Sequence, residues 1–135
     1  STWRWSYRSG SYKLDFVNNT IFNPINGSPE TVPCAVRNSG TIEGGNFEQT
    51  VFNLSTGVIN GGHFTKVEGR TTYNGNGQPT GSGIVTGGYI HTYFSNEGQW
   101  GGAGAKLNGG FVYGKVDMRE GILQCGIVCY ITDSS

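Results

Sequence analysis

A Gly-Gly step followed closely by an aromatic recurs four times, as Gly44-Gly45-Asn46-Phe47, Gly61-Gly62-His63-Phe64, Gly87-Gly88-Tyr89 and Gly109-Gly110-Phe111. Each copy follows a short segment with apolar residues: Thr41-Ile42-Glu43, Val58-Ile59-Asn60, Ile84-Val85-Thr86 and Lys106-Leu107-Asn108. The unit reads as strand, glycine kink, strand. Glycine inside a strand pattern marks a bulge, a tight bend or a close backbone approach, the devices that curve a sheet until it closes. The copies are 17, 26 and 22 residues apart. A solenoid of stacked rungs is expected to keep a constant repeat, so this irregularity argues for curvature points in one closed sheet.

The rest of the chain supports an all-β reading. Trp3, Trp5 and Tyr7 alternate with Arg4, Ser6 and Arg8, and after Ser9-Gly10-Ser11 shifts the phase, Tyr12, Leu14 and Phe16 alternate with Lys13 and Asp15. Both runs are half-buried strands with a bulge or short hairpin between them. Residues 18–33 are dense in Asn, Pro and Gly and form the longest loop, with N-x-S/T triplets at Asn18 and Asn26 and a third at Asn53. Further strands are predicted near 40–53, 57–67, 69–74, 82–94, 109–118 and 121–131. Asn74-Gly75-Asn76-Gly77 is the strongest hairpin signal, because a type I′ turn needs positive φ at both central positions. No window carries a 3.6-residue apolar period. The expectation is one domain, residues 1–135, folded as an antiparallel β-barrel of about eight strands with little or no helix.

Charge and cysteine content narrow the function class. Nine basic residues balance nine acidic ones and are scattered, which gives little basis for holding a nucleic acid. No apolar run approaches the roughly 20 residues of a membrane helix. Low charge, abundant Asn and Gly, and a start at Ser1 that reads as a processed or trimmed product favour a secreted or bacterial cell-surface location. Three cysteines, Cys34, Cys125 and Cys129, are the disulfide candidates. In a straight strand Cys125 and Cys129 would stand about 13 Å apart, so a bridge between them needs a reversal at Gly126; otherwise Cys34 pairs with one of them. All three also suit a reading as small buried hydrophobes.

Within residues 50–114, Phe52-Asn-Leu-Ser-Thr-Gly57-Val-Ile-Asn-Gly-Gly62, Gly81-Ser-Gly-Ile-Val-Thr-Gly-Gly88 and Gly101-Gly-Ala-Gly-Ala-Lys-Leu-Asn-Gly-Gly-Phe111 together resemble the β-barrel domain of transferrin-binding-protein-like bacterial surface lipoproteins. The resemblance implies an eight-stranded antiparallel barrel outside a Gram-negative cell that binds a host protein or nutrient carrier without catalysis. The sequence departs from that pattern in lacking an N-terminal lipid-attachment cysteine and in carrying Trp100-Gly101-Gly102 where the family has Phe-Gly-Pro.

Catalytic constellations are thin. His63 or His91 could join Asp15, Asp117 or Asp133 in a hydrolase triad, but no Gly-x-Ser-x-Gly elbow supplies the serine. Glu43 with Glu48, or Glu68 with Glu97, could pair for glycoside hydrolysis, although the flanking turn residues mark them as solvated. Cys125-x-x-x-Cys129 lacks a second cluster for zinc, so no metal site is expected. No cofactor is expected either, with haem the alternative at His91, since Tyr89, His91 and Tyr93 share one strand face. Trp3, Trp5, Tyr7 and Trp100 read as core, or otherwise as anchors for a protein or for stacking on sugar rings.

The functional expectation is a non-enzymatic binding module recognising a host protein or nutrient carrier through loops. Candidate binding residues are Asn23, Asn26, Asn76, Gln78, Tyr89, His91, Tyr93, Asn96 and Trp100. The alternatives are a structural adhesin or fibre-type module that forms a homo-oligomer, and a small hydrolase.

Overall fold

A computed structural model describes residues 1–8, 10–73, 75–76, 79–96, 106–107, 109–118 and 128–133. Apart from one 3-10 turn at Pro24–Asn26, every regular element is a strand: β1 (Thr2–Arg8), β2 (Ser11–Asn18), β3 (Ile21–Phe22), β4 (Thr31–Val32), β5 (Ala35–Asn38), β6 (Thr41–Ile42), β7 (Asn46–Asn53), β8 (Val58–Ile59), β9 (His63–Gly69), β10 (Thr71–Tyr73), β11 (Pro79–Ser82), β12 (Ile84–Val85), β13 (Tyr89–Asn96), β14 (Lys106–Leu107), β15 (Phe111–Met118) and β16 (Val128–Asp133). The all-β expectation holds.

The barrel does not. The longer strands lie side by side in the order β1-β2-β5-β7-β9-β13-β15-β16, with β4 also against β7, while the two-residue strands form a second sheet in the order β3-β6-β8-β12-β14. Every pairing within these sheets is parallel except β1 with β2. The chain runs along the long sheet, crosses to the short one, returns, and lands beside the strand it left one circuit earlier. That is a parallel β-solenoid, and among the described residues the two ends of the long sheet do not meet. The reason lies in what the Gly-Gly steps connect. An antiparallel meander needs each turn to join neighbours in one sheet, whereas here each step joins a short-sheet strand to a long-sheet strand.

Gly87-Gly88 shows why two glycines are required at this corner. A Cβ on Gly87 would run into the Asn60 carbonyl oxygen of the preceding rung, and Gly88 has φ +97°, which disfavours any residue with a Cβ. The corner packs backbone on backbone and keeps the rung-to-rung ladder going, with Tyr89 N–H donating to Gly62 O at 2.8 Å and Phe111 N–H to Gly88 O at 3.0 Å.

The unequal repeat has an equally direct cause. The rung containing β9 and β12 is lengthened by the antiparallel hairpin β10–β11, which places the predicted hairpin signal where the sequence put it. The excursion leaves and rejoins at one point, since Gly83 N–H donates to Arg70 O at 3.2 Å. A solenoid can lengthen any rung at a corner as long as its inward positions stay in register.

Those inward positions form columns. Phe22, Ile42, Ile59 and Val85 are in register in the short sheet. Phe16, Val36, Val51, Val67, Phe94 and Val116 are in register in the long one, with Val32, Phe47, Phe64, Ile90 and Val112 beside them. All of these side chains are buried. Stacking like on like lets each fill the gap its neighbour leaves, as where the rings of Phe47 and Phe64 stack with centroids 4.8 Å apart. Burial of each such side chain is favourable by about 1.5–3 kcal/mol.

At the other corner the inward residue is polar. Asn18, Asn38 and Asn53 are fully buried and in register. Asn18 Nδ2 donates to Asn38 Oδ1 at 2.9 Å, and Asn38 Nδ2 to Asn53 Oδ1 at 3.0 Å. The same amides donate to carbonyl oxygens at the corners, Asn38 to Gly40 and Asn53 to Gly57 and Ile84. The ladder gives the corner carbonyls a side-chain donor, at Gly40 and Gly57 beside the backbone N–H of Val58 and Ile84 that they already accept. It also removes Asn18 and Asn53 as glycan acceptors, while Asn26 stays exposed.

The N-terminal strand corrects another expectation. Trp3, Trp5 and Tyr7 are 50%, 69% and 65% exposed rather than core. β1 is the edge strand of its sheet, and β2 pairs with β5 only over Asp15–Asn18, so among the described residues most of the β1–β2 ribbon has no neighbouring rung beside it. Trp100 lies outside the described residues.

Candidate functional site: an imidazole-walled groove

Because β7, β9, β13 and β15 are in register, the residue directly after each Gly-Gly step falls in one outward column: Asn46, His63, Tyr89 and Phe111. Just beyond it, where β7 and β13 each bulge by one residue against Thr65 of β9, a second outward row forms from Glu48, Thr65, His91 and Tyr113.

The four central rings of these columns sit in two layers. His63 Nδ1 and His91 Nε2 are 3.0 Å apart. Their planes are within 10° of parallel and their centroids 5.3 Å apart, the separation that this nitrogen contact and two ring radii add up to. The imidazoles therefore lie edge to edge in nearly a common plane and share a hydrogen bond; they are not stacked face to face. The phenol rings of Tyr89 and Tyr113 form the adjoining layer. Tyr89 is 4.9 Å from His63 and Tyr113 is 5.6 Å from His91, with interplanar angles of 13° and 16°. Phe111 stacks on Tyr89 from the far side at 5.4 Å. One face of the imidazole layer is thus covered by tyrosine. The other looks toward the β7 rung, where the residue in register with His63 is Asn46.

On that side lies a shallow groove of about 280 Å³ lined by Asn46, Glu48, His63, Thr65 and His91 above the buried rings of Phe47 and Phe64. It adjoins a second hollow of about 400 Å³ lined by Asn23, Pro24, Ile25, Glu30, Glu43, Gly44, Gly45, Asn46 and His63. Asn46 and His63 belong to both, so the two form one trough. Its carboxylates, Glu30, Glu43 and Glu48, are exposed, and Glu43 Oε1 accepts from Asn60 Nδ2 at 3.0 Å.

The predicted binding residues separate on this frame. Tyr89 and His91 belong to the ring layers. Asn23 lines the trough, but its side chain also has a structural part, Oδ1 capping the 3-10 turn by accepting from Ile25 N–H at 3.1 Å. Asn26 is exposed at the end of that turn, outside the trough lining, and Asn76 is exposed in the β10–β11 connection. Tyr93 shares the outward face of its strand with His91 but is engaged elsewhere: its hydroxyl donates to Asp117 Oδ2 at 3.2 Å and the ammonium groups of Lys66 and Lys115 lie 5.0 and 5.4 Å from its ring centre. Asn96 ends β13 in register with Gly69 and Met118. Gln78, Trp100 and Cys125 lie outside the described residues; Cys129 lies in β16, and Cys34 is half-buried against the core. His63, Asn46, Glu48 and Tyr113 are absent from the predicted set. The signal for them is the vertical alignment of the Gly-Gly steps, which brings their columns together without any structure.

Of the residues named for a hydrolase, Glu43 and Glu48 line the two parts of the trough and Glu97 lies outside the described residues. The two imidazoles face each other, Asp117 faces Tyr93, and Glu68 pairs with Arg70 at 3.5 Å. No group of three or more metal-ligating side chains converges among the described residues, and no helix among them is long and apolar enough to cross a membrane. Searches for related proteins matched no family model, no curated protein and no solved structure.

Proposed function

We propose that this chain is a non-enzymatic binding module, displayed at a bacterial surface or secreted, that holds an uncharged, hydroxyl-rich polymer such as a glycan along the trough. The observation that carries this reading is the coplanar imidazole pair facing a groove edged by Asn46, Glu48 and Thr65. A sugar ring presents an apolar C–H face and a rim of hydroxyls. The first suits a flat aromatic surface and the second suits amides, carboxylates and hydroxyls, which donate or accept at fixed positions. The trough crosses successive rungs, which repeat about every 4.8 Å, so it fits an extended chain better than a compact ligand. Its exposed carboxylates lack the apolar enclosure that a general acid uses to hold its proton, which favours binding over hydrolysis.

A glycan array probed with the purified chain, repeated with His63→Ala and His91→Ala, tests this. Retention of one class of neutral polysaccharide, lost in both variants, supports it. Retention of no glycan, with capture of a single serum protein that the variants still bind, replaces it with protein recognition. A second reading, a fibre-type module that oligomerises, is favoured by the exposed Trp3, Trp5, Tyr7 and Tyr12 of the β1–β2 ribbon. A trimer on sizing that becomes a monomer in Trp5→Ser would establish it.

A further inference from the structure

We infer that His63 and His91 form a two-imidazole chelate for copper(II) or nickel(II). The two ring nitrogens that meet are 3.0 Å apart, come from neighbouring rungs fixed by β9–β13 pairing, and belong to exposed side chains. As they stand the two nitrogens point at each other, so an ion bound by both is reached by turning the rings until their lone pairs converge, a movement open to side chains that are exposed. Imidazole nitrogens suit copper(II) and nickel(II), and copper(II) stands at the top of the affinity order for such donors. Binding replaces the shared hydrogen bond. The donating ring moves its proton to its other nitrogen, both lone pairs turn outward to the ion, and no bond to carbon is made or broken.

The surroundings favour a small, open site. Tyr89 and Tyr113 back the rings from one side. Glu48 lines the same groove on the other side, leaving a negative charge near the ion without closing the coordination sphere. No third His, Cys, Asp or Glu joins the pair among the described residues, so water fills the remaining positions and stays exchangeable. An ion held here would stand in the trough with open positions for hydroxyl or carboxylate oxygens.

Calorimetric titration of nickel(II) into the full chain and into His63→Gln and His91→Gln, with folding checked by circular dichroism, reads the site directly. The expected result is one ion per chain, bound roughly tenfold or more weakly in each variant. Nickel(II) binding to the unaltered chain should also broaden the imidazole proton resonances of both histidines before any other side chain. Absence of binding, equal affinity in all three proteins, or broadening that spares either histidine would overturn the assignment.

Discussion

Asn38 donates from Nδ2 to Oδ1 of Asn53 at 3.0 Å with both amides fully buried, and its own Oδ1 accepts from Asn18 Nδ2 at 2.9 Å. Asn38 is therefore the middle of a chain of amides that ties three rungs together. Replacing it leaves Asn53 Oδ1 without its donor and removes one hydrogen bond each from Asn18 Nδ2 and the Gly40 carbonyl. A buried unpaired group costs about 1–3 kcal/mol, so Asn38→Ala should lower unfolding free energy by roughly 2–4 kcal/mol. Urea denaturation of Asn38→Ala beside the exposed control Asn19→Ala measures this, and equal midpoints would exclude the ladder.

The Gly-Gly corners give a contrast between two glycines of the same motif type. A Cβ at Gly87 meets the Asn60 carbonyl oxygen, whereas one at Gly44 meets only the side chain of Pro24 at 3.6 Å. Gly87→Ala should be destabilised by roughly 1–3 kcal/mol, the usual cost of overpacking, and Gly44→Ala should be nearly neutral. Thermal melts of the two variants decide it.

The β10–β11 hairpin is an excursion from a rung whose ends meet at Arg70 and Gly83. Replacing residues 71–82 with two small polar residues leaves a four-residue connection, like the one between β7 and β8. The shortened chain should fold with a β-rich circular dichroism spectrum and melt cooperatively, because no described core column loses a residue. Loss of the folded state would show that the hairpin is part of the core.

Much of this was legible in the sequence. The strand content, the hairpin signalled by Asn74-Gly75-Asn76-Gly77 and the importance of the Gly-Gly steps could be read directly, because φ requirements and alternation act over a few residues. What could not be read was which strand each neighbours. Ile42 and Ile59 pair across a full circuit, and nothing local distinguishes that from an antiparallel return. The unequal spacing then misled, since a solenoid fixes the register of inward residues and leaves corner length free. The site suffered the same way: His91 was visible on its strand with Tyr89 and Tyr93, but its partner His63 is one rung away, and only the vertical alignment after each Gly-Gly step joins them.

Burial separates the three N-x-S/T triplets. Asn18 and Asn53 are enclosed in the ladder and Asn26 is exposed. Secretion from a eukaryotic host should therefore modify Asn26 alone if it modifies any, giving a single mobility shift that Asn26→Gln abolishes. Occupancy at Asn53 would contradict the rung register.

The most direct measurement is a map of backbone amide shifts as the neutral oligosaccharide selected by the array is titrated to saturation. The account predicts that the largest changes fall on Asn46, Glu48, His63, Thr65 and His91, and that His63→Ala removes them without unfolding the chain. Changes confined to the Trp3–Tyr7 ribbon, or none at saturating sugar, would contradict it.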